Sequence, residues 1–275
     1  MINNEFLDRF PSFSEFNRQL ISFASDNPGS QWHLGASNKR IYVTLQELAR
    51  HFSVGCNIVD MGCLPPNIPV GMKVLGLWDK CQYLGICSEK PDSNVFKDAC
   101  KSVLQMKMEA VNLDPNFHMF QNVSALPVKC SLPDGSVDIV IATEVLEHMV
   151  WPHSLLQEAY RLLKPGGILI ASTPNATNAG VVMKCLLGRG AFENYCDSHL
   201  TSKDWMKHVR FYSFSEMRLL LSENGLMMAS RHYLCNTGVY SESKGFHSHI
   251  KRVLRTSMYI IPWWREGIFF TAVKK

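Results

Sequence analysis

With 275 residues, of which 46% are hydrophobic and 19% charged, the chain is long enough to bury a full core, and its composition excludes disorder, collagen-like repeats and coiled coil. A formal charge of +4 with no Lys/Arg block argues against a nucleic-acid partner. Nine cysteines, an odd number without a CxxC pair and several of them in apolar runs, point to neither a disulfide framework nor a zinc site, so no metal is expected.

The N-terminus, MINNEFLDRF, lacks a basic segment leading into an apolar one, and no stretch reaches the roughly 18 apolar residues of a membrane span, so a cytoplasmic location is expected. Residues 12–25 predict a helix opened by Ser12 and Glu15 in capping-box spacing, and Thr44 with Glu47 repeats that signal for a second. Together residues 1–55 read as an N-terminal helical extension. The apolar run 57–61, ended by Gly62, reads as a buried strand, and 82–87 and 117–121 are weaker candidates for the next two. VDIVIAT at 137–143 is the clearest strand, because a nearly continuous β-branched run suits a parallel sheet covered on both faces.

Pro152 suits a first helical position; Leu155, Leu156, Ala159, Leu162 and Leu163 then recur at helical spacing until Pro165-Gly166-Gly167. A strand over 167–173 follows. The irregular stretch 174–212 is long enough to cover an active site. Ser213 and Glu216 cap a further helix that Gly225 ends, and strands near 226–234 and 267–273 close the chain. Between them 244–258 reads as a basic amphipathic helix. Strands alternating with helices imply a doubly wound α/β sheet, whose ligands bind at the carboxyl ends of the strands.

The segment LPDGSVDIVIATEVLEHMVWPHSLLQEAYRLLKPGGILIASTPN, residues 132–175, closely resembles the central part of class I methyltransferases dependent on S-adenosylmethionine (SAM). Leu132-Pro133-Asp134-Gly135, Asp138, Glu144-Val145-Leu146-Glu147-His148 and Leu163-Lys164-Pro165-Gly166-Gly167 carry the likeness, in the family's order. The resemblance implies a seven-stranded sheet with an antiparallel last strand over about residues 56–275, SAM as cofactor, and methyl transfer to a small-molecule or sugar acceptor as an O-methylation.

Further positions follow from the same resemblance. Ile58-Val59-Asp60-Met61-Gly62-Cys63 looks like the family's first motif, which receives the methionine half of SAM through Asp60, Gly62 and Cys63. Glycine lets backbone approach a ligand closely, and helix N-terminal amides attract a carboxylate. Leu64 and Pro66 depart from the family's glycines, and proline donates no hydrogen bond. Cys87 stands where the ribose-binding carboxylate is expected; Glu89 is the substitute, or else a solvated loop residue. Asn122 and Val123 match the adenine site, with a turn asparagine as the alternative, while Thr143 and Glu144 border SAM and the acceptor.

Glu144 and His148 share a face if their segment is helical, and His148, His199 and His208 are the candidate bases, set against plain structural or solvent-facing roles. The region 244–264, basic and apolar by turns, fits a peripheral membrane or lipid-linked acceptor as well as ordinary packing on the sheet. Thr143-Glu144-Val145-Leu146, where a nucleic-acid enzyme carries an NPPY-type tetrapeptide, favours a small acceptor. Two rivals stay open. Leu64, Pro66 and Cys87 would suit a catalytically silent scaffold or partner subunit, and a nicotinamide-dependent oxidoreductase lacks its GxGxxG after the first strand.

Overall fold

The computed structural model describes residues 4–26, 38–87, 104–114, 129–190, 208–235 and 260–275. Seven strands form one sheet: β1 (Asn57–Met61), β2 (Gln82–Cys87), β3 (Lys107–Ala110), β4 (Val137–Thr143), β5 (Leu163–Pro174), β6 (Leu226–Leu234) and β7 (Gly267–Lys274). Their order is β3-β2-β1-β4-β5-β7-β6, parallel through β5, with β7 antiparallel between β5 and β6. This is the doubly wound sheet with a reversed last strand that the resemblance implies. The strand that pairs with β2 is Lys107–Ala110, which was not expected, while the expected strand at 117–121 lies outside the described residues.

The helices are α1 (Asn4–Asp8), α2 (Phe13–Asp26), α3 (Asn38–His51), α4 (Asn67–Val74), α5 (Pro152–Leu162), α6 (Ala179–Leu186) and α7 (Phe214–Glu223). Strand alternation sends Ile58, Ile139, Ile141, Ile168, Ile170 and Phe269 to a core shared with α2, α3 and α4. Val59, Val140, Ala142, Leu169, Ala171 and Phe270 point the other way, onto α5 and α7. Each fully buried large side chain contributes about 1.5–3 kcal/mol, so the sheet is held from both faces. Phe16, Leu45, Leu48 and Phe52 are fully buried, which makes α2 and α3 part of one sheet face.

Local signals explain several helix ends. Pro152 opens α5, which stops at Leu162, ahead of Pro165, whose ring restricts Lys164 to extended backbone. Ser213 and Glu216 form the reciprocal capping box of α7. At α2 only half of the expected box forms: the Glu15 amide meets Ser12 Oγ at 3.3 Å, whereas the Glu15 carboxylate turns to Arg18 and Gln19. Thr44 does not cap a helix, because it lies inside α3 and its hydroxyl donates to the Arg40 carbonyl at 2.9 Å. The early part of the 174–212 stretch is also more regular than expected, since it holds α6, capped by Asn178.

Two of the quoted motif residues, Asp138 and Lys164, lie at the opposite end of the sheet and are structural. The Asp138 carboxylate accepts from the Asn57 amide at 2.9 Å and from Lys164 Nζ at 2.6 Å, joining the starts of β1, β4 and β5.

Candidate active site

The strand register aligns the carboxyl ends of three central strands. Asp60 pairs with Gly85 on one side and Ile141 on the other, so two residues on, Gly62, Cys87 and Thr143 stand in one row. Thr143 in turn pairs with Ser172 of β5. This row is where an open α/β sheet binds ligands.

Asp60 is 3% exposed, and one of its carboxylate oxygens accepts from the Tyr83 hydroxyl at 2.6 Å. Burial pushes its carboxyl from the usual 3.8 up to about 7, offset only in part by that bond. Beyond β1 the chain turns at Gly62, whose φ of +82° favours glycine and whose amide donates to Ile86 O at 2.8 Å. A Cβ here would overlap Val145 Cγ2, so the turn after β1 rests directly on the loop after β4. Cys63 is buried beneath β2: a Cβ on Gly85 would come within 2.7 Å of its sulfur. Leu64–Pro65 is a cis peptide, and Pro66 occupies the N-cap of α4 without a side-chain cap. With Pro66 and Pro69 both lacking N–H groups, this helix start offers few amides to an anion.

On the other side of the row, Glu144 adopts φ +55°, and its amide donates to Ser172 O at 2.8 Å. Its carboxylate accepts from Ser172 Oγ at 2.9 Å and pairs with Arg40 of α3 at 3.1 Å, tying the N-terminal helices to the end of β4. A 3-10 turn, Leu146–His148, follows. Glu144 and His148 therefore do not share a helical face, because the left-handed backbone at Glu144 interrupts any helix between them.

Glu147 is fully buried, and its Oε2 accepts from Thr173 Oγ1 at 3.0 Å. Burial first, and the Glu144 charge second, hold its carboxyl well above the usual 4.5. Its backbone carbonyl accepts from the amides of Val209 at 2.7 Å and Arg210 at 3.2 Å. Those bonds bring His208 beside His148, with ring centroids 5.0 Å apart. Tyr212, buried by the same docking, reaches Leu146 O at 3.3 Å and bridges Asn175. Asn175 then donates to the carbonyls of Trp263 at 2.9 Å and Arg265 at 2.8 Å, joining β5 to the approach to β7.

The structure thus brings Asp60, Gly62, Cys63, Cys87, Thr143, Glu144, His148 and His208 to one end of the sheet. Glu89, Asn122, Val123 and His199 lie outside the described residues, as does the 244–258 insertion. Cys87 is buried at the end of β2 and supplies no carboxylate. Glu147, Arg40 and Tyr83 were not singled out from sequence. Glu147 stood inside the quoted motif, and its place next to His148 was the available signal.

A family model described as a methyltransferase domain matches residues 43–230, well over half of the chain. The chain belongs to this methyltransferase-domain family. Its match begins inside α3, so part of the N-terminal extension falls within it. This methyltransferase-domain chain is similar to the malonyl-acyl-carrier-protein O-methyltransferase of Marinomonas sp., at 28% identity over 144 residues, 52% of this chain and 51% of the relative. It spans about half, or less, of the length of the curated relatives it matches.

Two solved structures share its fold. A SAM-dependent methyltransferase from Archaeoglobus fulgidus aligns with a TM-score of 0.52 and 15% identity, covering 86% of this chain and 94% of that one. Phosphoethanolamine N-methyltransferase 2 of Haemonchus contortus, in complex with SAM, aligns at 0.54 and 11%, covering 96% of this chain and 60% of that one.

Proposed function

We propose that this methyltransferase-domain chain binds SAM across the carboxyl ends of β1, β2 and β4 and transfers its methyl group to a small-molecule or sugar acceptor, as an O-methylation. The observation that carries the reading is the aligned row of Gly62, Cys87 and Thr143 beside buried Asp60, in a chain whose family match spans residues 43–230. When bound, SAM supplies an already activated methyl group, so the protein chiefly supplies proximity, orientation and exclusion of water.

The residues present fit such a ligand. Glu144, Glu147 and Asp60 place three carboxyl groups around this end of the sheet, a setting that suits a cationic sulfonium and ammonium. Asp60 and the Gly62–Cys63 turn would receive the methionine end. Glu89 would take the ribose, while Asn122 and Val123 would take the adenine. Thr143 and Glu144 would form the floor. On the acceptor side His148 and His208, with His199 as the third candidate, would take a hydroxyl proton. Exposed Ile260 and Trp263, at the end of the 244–264 region, support contact with an apolar or lipid-linked acceptor at a membrane surface. A cytoplasmic setting is part of the same proposal, supported by an odd cysteine count without a CxxC pair.

Isothermal titration with SAM and S-adenosylhomocysteine tests the proposal. Saturable binding is expected, weakened by the prolines of the first turn. No heat at millimolar ligand would refute it and favour the silent scaffold that Leu64, Pro66 and Cys87 motivate.

A further inference from the structure

Glu147, His148 and His208 offer one carboxylate oxygen and two ring nitrogens that all lie within 4.8 Å of one another. Glu147 Oε1 is fully buried and has no hydrogen-bond partner among the described residues, although its sister oxygen is held by Thr173. A buried carboxylate oxygen left in that state costs free energy unless a cation or donor meets it. It faces His148 Nε2 at 3.9 Å. The three groups are also rigidly placed. The 3-10 turn carries Glu147 and His148, and the bonds from Val209 and Arg210 to the Glu147 carbonyl deliver His208 from 60 residues away.

We propose that Glu147, His148 and His208 form a site for a divalent transition-metal ion just beyond the carboxyl end of β4. For three atoms no more than 4.8 Å apart, some point lies within about 2.8 Å of all three, and metal bonds of about 2.0–2.2 Å then need sub-ångström side-chain adjustments. Two imidazoles and one carboxylate suit Zn²⁺, Mn²⁺, Fe²⁺ or Co²⁺ better than the all-oxygen shells of Ca²⁺ or Mg²⁺. Thr173 orients the carboxylate, as outer-shell partners of metal ligands do. Glu144 is already paired with Arg40, so of the two neighbouring carboxyls it is Glu147 whose Oε1 is left to meet an ion.

Three protein ligands leave positions open. Resting on the methyl-transfer reading, a hydroxyl acceptor held at those positions would have its pKa lowered and would release its proton to bulk water before methyl transfer; with an ion bound, His148 and His208 serve as its ligands in place of the base role proposed for the metal-free site. The ion-binding site itself stands independently of that reading.

The test is a titration of chelator-treated full-length protein with Co²⁺, followed by visible d–d absorption, with no SAM and no acceptor present. Saturation at one equivalent, and displacement by Zn²⁺, are expected. His208→Ala, at an exposed position, and the isosteric Glu147→Gln are each expected to weaken Co²⁺ binding at least tenfold, with the melting curve of metal-free His208→Ala unchanged. Absence of a saturable spectrum, equal affinity in both variants, or an intense thiolate-to-cobalt band placing the ion on cysteine would overturn the proposal. Because SAM is absent, failure here leaves SAM binding untouched, and failure to bind SAM leaves this site untouched.

Discussion

Asp60→Asn separates the electrostatics of the first motif from its packing. The carboxyl sits at about 7 in the folded chain against the usual 3.8, because burial disfavours its charge. Between these values the folded state keeps a proton that the unfolded chain has released. Stability from this residue is therefore full below about pH 4, falls as pH rises toward 7, and levels off above it. The total fall is about 4 kcal/mol at 1.36 kcal/mol per pKa unit.

Asparagine has the same shape, and its carbonyl can still accept from Tyr83, but it cannot ionise. Its NH₂ introduces a pH-independent cost of about 1–3 kcal/mol if left unpaired. The measurement is urea unfolding of both proteins at pH 4 and pH 8. The variant is expected to gain about 4 kcal/mol on the wild type between these two conditions, a difference from which the fixed cost cancels. A mutant-to-wild-type difference that stays constant across this range, or moves the other way, would refute the assignment of a buried, proton-holding Asp60.

Gly62→Ala is expected to lose more than 2 kcal/mol of stability, since φ is +82° and the new methyl would overlap Val145; pairing it with Val145→Ala should recover part of the loss in chemical denaturation. Asn175→Ala removes donors to the Trp263 and Arg265 carbonyls, and is expected to cost about 2–4 kcal/mol in the same assay, with faster hydrogen exchange at the Asn175–Tyr212 bridge. Arg40→Ala leaves Ser172 as the partner of the Glu144 carboxylate among the described residues, and a loss of about 1–2 kcal/mol that disappears when the same change is made in a Glu144→Gln background would confirm the ion pair between α3 and the end of β4.

The strands legible in the sequence were those whose apolar runs end at a glycine or a turn. β1, β2 and β4 fall where their patterns predict, because burial on two faces leaves little choice of residue, and the largely exposed edge strand β6 is placed by the Gly225 that ends α7 before it. β3 escaped: it is a four-residue edge strand, KMEA, too short and too polar to show a period. Thr44 carried a capping signal that its neighbours override, since inside a helix its hydroxyl finds the Arg40 carbonyl instead.

At the site, Asp60 and Gly62 were readable from motif and spacing. The left-handed Glu144 was not, because glutamate seldom adopts that backbone and the Ser172 and Arg40 contacts that hold it are distant in sequence. Nor did local pattern reveal the buried Glu147 meeting His208. That contact depends on backbone bonds between segments about 60 residues apart.

The most direct test of the central claim is a crystal structure with S-adenosylhomocysteine bound. The ligand is expected over the carboxyl ends of β1, β2 and β4, with its amino-acid end at the Gly62–Cys63 turn near Asp60 and its sulfur facing Glu144, Glu147 and His148. Density at any other place on the protein, or none at saturating ligand, would contradict the account.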